Sequence, residues 1–179
     1  MKNLRSELRA SILKKMRALL KSHGYKANGS RYRRDEDDLV KFIWLSSLPQ
    51  TGPDFYCFTV DVSIASEVVV AHAPRIFFCG IDYVMAPYNN RIGWLSKHKQ
   101  DYWWYVYSEK DCQDALQEIE DILVGRVFPM LDAIQTSGDL ARVLREGQPG
   151  LSWPKAVQQW LADILEGKEA PPVPPGSTL

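Results

Sequence analysis

Residues 55–65 read Phe-Tyr-Cys-Phe-Thr-Val-Asp-Val-Ser-Ile-Ala. Tyr56, Phe58, Val60, Val62 and Ile64 form one set, and Phe55, Cys57, Thr59, Asp61 and Ser63 the other. Successive side chains of a strand point to opposite faces, so this alternation predicts a β-strand with one strongly apolar face. Asp61 is the one acid within it. On a half-exposed sheet it faces water; buried, it needs a partner, and an arginine of the basic hairpin upstream would serve.

Working towards the N-terminus, residues 39–48 are rich in Val, Ile, Phe and Trp and predict a second strand. The Pro- and Gly-containing stretch 48–53 is a loop between the two. Tyr25–Tyr32 carries Asn28-Gly29 between short strand-like runs, a strong hairpin signal because both residues tolerate positive φ. A two-residue loop there pairs Tyr25 with Tyr32 and Lys26 with Arg31. Two cations facing each other destabilise a hairpin, so nearby acids or a bound anion must offset them. Asp35–Asp38 reads as a turn. Residues 3–22 predict a helix, with Leu4, Leu8, Ile12, Met16, Leu19 and Leu20 at three- and four-residue steps and Gly24 as the stop.

Towards the C-terminus, the apolar runs 67–72 and 75–79 read as further strands parted by Pro74, and residues 80–92 as irregular. Tyr102–Tyr107 predicts a last strand, aromatic on both faces. Ser108 caps a helix carrying Leu116, Ile119, Ile122 and Leu123, which Pro129 breaks or kinks. A shorter helix holds Leu140, Val143 and Leu144 and stops at Gly147. Ser152 caps a final helix with Val157, Trp160, Leu161, Ile164 and Leu165 on one stripe, ended by Gly167. One helix, five or six mostly antiparallel strands and then helices packed on one face: this order predicts an α+β fold. At 179 residues the chain is long enough to bury about 70% of its unfolded surface. We expect one α+β domain over residues 1–168 and a Pro-rich flexible tail over 169–179.

The formal net charge is zero, but the charge is unevenly spread. Eleven Lys and Arg and one acid, Glu7, lie in residues 1–34; eleven basic and twenty-one acidic side chains lie in the rest. Such a split speaks of charged partners. The alternative is internal neutralisation, with Asp35–Asp38 and with Asp111, Asp114, Glu118, Glu120 and Asp121 covering the cations in the fold. Cys57, Cys79 and Cys112 are odd in number and far apart, which argues against disulfides and for a reducing compartment. The basic N-terminus is not a secretory signal, and no run of about 18 apolar residues reads as a membrane span. A cytoplasmic protein is expected, with no membrane partner.

Several short motifs occur in a telling order: the N-terminal helix ending in Gly24-Tyr25, the basic Arg31-Tyr32-Arg33, Phe58-Thr59-Val60, Arg91-Ile92-Gly93-Trp94-Leu95, Trp103-Trp104, Phe128-Pro129-Met130-Leu131 and Asp139-Leu140. This order resembles the bacterial family known as domain of unknown function 4304, over roughly residues 3–146. The resemblance implies a single α+β domain and supplies no reaction.

The sequence carries no GxSxG, GxGxxG or GxxxxGK[ST] motif, and His23, His72 and His98 sit on separate elements. Cys57 and Cys79 lie in apolar contexts and read as inert buried thiols. No catalytic residue, cofactor or metal site is expected. Two constellations remain. Lys26, Arg31, Arg33 and Arg34 form a basic hairpin that suits phosphates or an acidic surface, with Tyr25 and Tyr32 placed to stack on single-stranded bases. Tyr102–Tyr107 offers aromatic anchors for a protein interface, Trp103 and Trp104 foremost, unless the sheet is covered on both sides. A strand cannot send both tryptophans into one core. The expectation is a non-catalytic protein-interaction module, of immunity or antitoxin type, whose partner is a protein with a charged surface. The alternative is a nucleic-acid-binding protein using the basic helix and hairpin.

Overall fold

The computed structural model describes residues 4–48, 54–72 and 86–169. Helix α1 spans Leu4–Ser22 and buries Leu8, Ile12, Met16 and Leu20, one residue per turn. It ends in a Schellman motif: the Tyr25 N–H donates to the Leu20 carbonyl at 3.0 Å and the Gly24 N–H to that of Lys21 at 3.2 Å, with Gly24 at φ +82°.

Strands β1 (Lys26–Asn28) and β2 (Arg31–Glu36) form the expected hairpin in a different register. Lys26 faces Arg33, Ala27 faces Tyr32 and Asn28 faces Arg31, so the loop is Gly29-Ser30. Gly29 takes φ +61° and neither Asn28 nor Ser30 takes a positive φ. A glycine at the first central position with one positive φ is the II′ hairpin geometry, which needs nothing unusual of Asn28. The two-residue slip leaves every side chain on its expected face. Lys26 still opposes a cation, but a different one.

Asp37-Asp38 forms the turn into β3 (Leu39–Ser47). Strand β4 covers Tyr56–Ser66, and all eleven of its residues are buried. Both its faces are therefore covered, and the half-exposed sheet expected around Asp61 is not what forms: Asp61 is 6% exposed. Residues 67–72, expected as a strand, are helix α2 (Glu67–His72). Three valines favour strand locally, but propensity is a weak prior against tertiary context, and here Val69 is buried under helical packing. The run 75–79 lies outside the described residues, as does the tail from 170. Strand β5 (Tyr88–Arg91) falls where irregular structure was expected; its buried members, Tyr88 and Asn90, lack an apolar alternation. After α3 (Ile92–Leu95) comes β6 (Trp104–Val106), shorter than the aromatic run that predicts it.

Helix α4 (Glu109–Ile122) begins as expected, with the Asp111 N–H donating to Ser108 Oγ. Leu123–Val127 is a π-helical turn, closed by the Phe128 N–H on the Leu123 carbonyl. It leads into α5 (Phe128–Ala133). The interruption expected at Pro129 thus sits one turn earlier, with the proline in the first turn of α5, where its missing N–H costs least. Helix α6 (Ser137–Glu146) carries a Thr136–Asp139 capping box. Helix α7 (Lys155–Leu165) has Pro154 at its N-cap. Ser152, expected there, instead donates through its hydroxyl to the Asn89 carbonyl at 3.2 Å.

The six strands make one antiparallel sheet in the order β1-β2-β3-β4-β5, with β6 also on β4. In the β4–β6 register Tyr56, Cys57 and Phe58 face Val106, Tyr105 and Trp104. The architecture is α+β, as the order of elements predicts. The chain divides into two compact units: Met1–Arg34, Ile43–Asp61 and Arg91–Pro129 in one, Asp35–Phe42, Val62–Asn90 and Met130–Leu179 in the other. In the first, α1 packs on α4, joined at the rim by Ser11 Oγ donating to Glu109 Oε1 at 3.1 Å. In the second, α7 packs on α6 and α2, and Arg145 bridges from α6 to Asp163 at 2.8 Å and Glu166 at 2.6 Å.

Candidate functional site

The first unit holds both surfaces that the sequence singles out. Along the aromatic run, burial alternates as a strand requires: Trp104 and Val106 are buried, Tyr105 and Tyr107 are 53% and 57% exposed, and Trp103 is half-buried. Trp104, expected on a partner surface, is a core residue at 4% exposure. Its indole Nε1–H donates to Glu118 Oε2 at 2.9 Å and its ring lies edge-on to Tyr102 at 5.1 Å. Glu118 also accepts from His98 Nε2 at 2.9 Å and pairs with Lys97 at 3.0 Å. Burial pushes the Glu118 pKa up, but the Trp104, Lys97 and His98 hydrogen bonds outweigh it and hold the carboxyl below its ordinary range.

The other face of the run carries the exposed rings. Phe55, at the mouth of β4, lies 6.3 Å from the Tyr105 ring and 5.4 Å from that of Tyr107. Sequence reasoning put weight on Trp103 and Trp104 and missed this trio; period two groups Trp103, Tyr105 and Tyr107, but does not say which face is open. Cys57, opposite Tyr105, is fully buried and burial pushes its thiol pKa up. It is buried as expected, while Cys79 lies outside the described residues. Trp103 has the Arg91 guanidinium 5.0 Å above its ring.

That arginine also answers the question of Asp61. Its Nε–H donates to Asp61 Oδ1 at 3.2 Å, while its Nη1 pairs with Asp101. Ser46 Oγ donates to Asp61 Oδ2 at 2.6 Å and itself accepts from Trp44 Nε1 at 2.8 Å. The partner thus comes from β5 and not from the hairpin. Burial drives the Asp61 pKa up against the opposing pull of Ser46 and Arg91.

The basic surface is built from the end of α1 and the hairpin. Period two sets Lys26, Arg31 and Arg33 on one hairpin face, and all three are exposed. Arg34 points the other way: its guanidinium lies 5.1 Å over the Tyr25 ring and donates to the His23 carbonyl at 3.3 Å. His23 in turn stacks on Phe128, with 3.8 Å between ring centroids. Arg34 therefore clamps the helix end. Tyr25 and Tyr32, expected to stack on bases, are 3% and 1% exposed; their rings are spent on the core. Arg17, Lys21, Gly24, Tyr25, Lys26 and Ala27 line a concavity of about 370 Å³. The sequence signal for the first two is their i, i+4 spacing on the polar face of α1.

Four of the acids expected to cover these cations have partners within their own element or on the aromatic strand. Asp111 serves the α4 cap, Asp114 pairs with Lys110, Asp121 accepts from Gln117 and Glu118 holds Trp104. Among the described residues, no carboxylate forms an ion pair with Arg17, Lys21 or Lys26. No group of three His, Cys, Asp or Glu side chains among the described residues is placed to hold a metal. No described helix is long and apolar enough to cross a membrane.

No curated protein and no solved structure matches the chain. The family model described as Domain of unknown function (DUF4304) matches residues 16–133, a span from the middle of α1 to the end of α5 that includes both surfaces. The chain belongs to the DUF4304 family.

Proposed function

We propose that this protein is a cytoplasmic, non-catalytic interaction module of immunity or antitoxin type, and that a partner protein docks on the open aromatic face of β6. The supporting observation is the exposure of Tyr105 and Tyr107 beside Phe55. Rigid aromatic side chains carry large contact area at low entropic cost and dominate binding hot spots. The charged groups at the end of this face, Arg91 and Asp101, and the cations of the hairpin suit a partner with a charged surface.

The test compares three full-length baits in extracts of the cell that encodes the protein: wild type, Tyr105→Ala/Tyr107→Ala and Val124→Ala. Val124 is exposed at 47% on the π-helical turn and serves as a surface control. A protein retained by wild type and control but lost from the tyrosine variant supports the reading. Recovery of the same proteins by all three baits, or of none, overturns it.

A further inference from the structure

Lys14, Arg17 and Lys21 stand at i, i+3 and i+7 on α1, all exposed, and so share one helix face. The hairpin brings Lys26 to the same concavity as Arg17 and Lys21 and sets it opposite Arg33. Like charges at these spacings repel in the helix and across the hairpin. Among the described residues, no carboxylate forms an ion pair with Lys14, Arg17, Lys21 or Lys26, and none lines the concavity. The helix end offsets some of the charge through its dipole, since Lys21 stands in the last turn of α1, but its carbonyls are not open to these side chains. The Leu19, Leu20, Lys21 and His23 carbonyls already accept from Ser22 Oγ, the Tyr25 N–H, the Gly24 N–H and Arg34. No ion pair to Lys14, Arg17, Lys21 or Lys26 among the described residues offsets their mutual repulsion, and an anion relieves it.

The chemistry of that anion is constrained. Tyr25 closes the floor at 3% exposure with Arg34 on its ring, so no base stacks there. Contacts must go to charged oxygens, and one guanidinium fork with two ammonium groups suits a phosphate. We propose that the concavity between α1 and β1 is a phosphate-group site formed by Arg17, Lys21 and Lys26, with Lys14 extending its field. The phosphate is carried either by a nucleic-acid backbone, bound without base readout, or by a free phosphate ester. The site is separate from the aromatic face, and each stands or falls alone.

Two titrations of the full-length chain test this. In the first, the thermal midpoint is followed with pyrophosphate against sodium chloride of matched ionic strength. The wild type should rise by several degrees near saturation. Arg17→Gln/Lys21→Gln/Lys26→Gln should start at an equal or higher midpoint, its repulsion relieved, and should not rise. In the second, a labelled oligothymidylate is titrated at several salt concentrations. Wild-type binding whose salt slope falls by about 2 in the triple variant assigns the backbone phosphate, at about 0.7 per contact on a single strand. Pyrophosphate stabilisation without oligonucleotide binding assigns the free ester. Lys26→Gln alone, on an exposed strand, should lower the slope by about 0.7 and serves if the triple variant does not fold. A wild type that responds to neither probe at low salt overturns the proposal, as does a variant that responds like wild type.

Discussion

Asp61 and Glu118 are two carboxylates in opposite electrostatic circumstances. Burial dominates at Asp61 and raises its pKa above the ordinary 3.8. A carboxylate raised in the folded state favours folding most below its unfolded pKa, and that contribution is lost as pH rises through the folded value. The stability of Asp61→Asn relative to wild type should therefore grow between about pH 3 and about pH 6. Urea unfolding at both ends of that range checks it; a constant difference contradicts it. Glu118 is held below its ordinary 4.5, so its contribution is present above that value and lost as pH falls. Glu118→Ala leaves the Trp104 indole N–H without its acceptor and should cost about 1–3 kcal/mol at neutral pH, with the difference shrinking in acid. Gly93 has a different constraint. A Cβ there would lie 2.6 Å from the Gln100 carbonyl oxygen and 2.8 Å from the Tyr102 nitrogen, both backbone. Gly93→Ala should cost about 1–3 kcal/mol, read by the same unfolding. The alternation that parts Trp103 from Trp104 was legible in the sequence. The partner of Asp61 was not, because Arg91 is thirty residues away and reaches it only through the pairing of strands.

Local chemistry set most element boundaries. Ser108 was legible as a cap because capping needs only a side-chain oxygen and an N–H three residues on; Ser108→Ala should cost about 1 kcal/mol in chemical denaturation. The hairpin existed in the sequence, yet its register turned on which dipeptide, Asn28-Gly29 or Gly29-Ser30, took the two central positions. Helix α2 shows the reverse case, where β-branched residues obey burial over propensity. The contact between α6 and α7 was invisible to local reasoning. There Arg145 and Lys168 hold the Glu166 pKa at about 2, and Arg145 first and Lys168 next lower that of Asp163. Both acids stabilise the fold above their ordinary pKa values, and the effect fades as pH falls towards 2. The destabilisation by Arg145→Met should thus be present at neutral pH and diminish progressively below about pH 4.5. A difference in thermal midpoint that does not change with pH would contradict this assignment.

For the molecule as a whole, a net charge of zero conceals a positive region at the end of α1 and on the hairpin. The protein should therefore be retained on a sulfonate resin at pH 7 and low ionic strength, and released on the order of 0.1 M salt, where the Debye length falls to about 10 Å. Flow-through at low salt would show that the cations are screened by the protein's own acids. The sequence alone determined the α+β class, the identity of the amphipathic helices and the concentration of cations near the N-terminus, since these follow from composition and period along the chain. Tertiary structure alone decided that β4 is covered on both faces, that Tyr25 and Tyr32 are core residues, that Tyr105 and Tyr107 are open, and that α4's acids leave Arg17, Lys21 and Lys26 without ion pairs. Burial and charge pairing are properties of neighbours brought together across the chain, and periodicity carries no record of which face receives a neighbour.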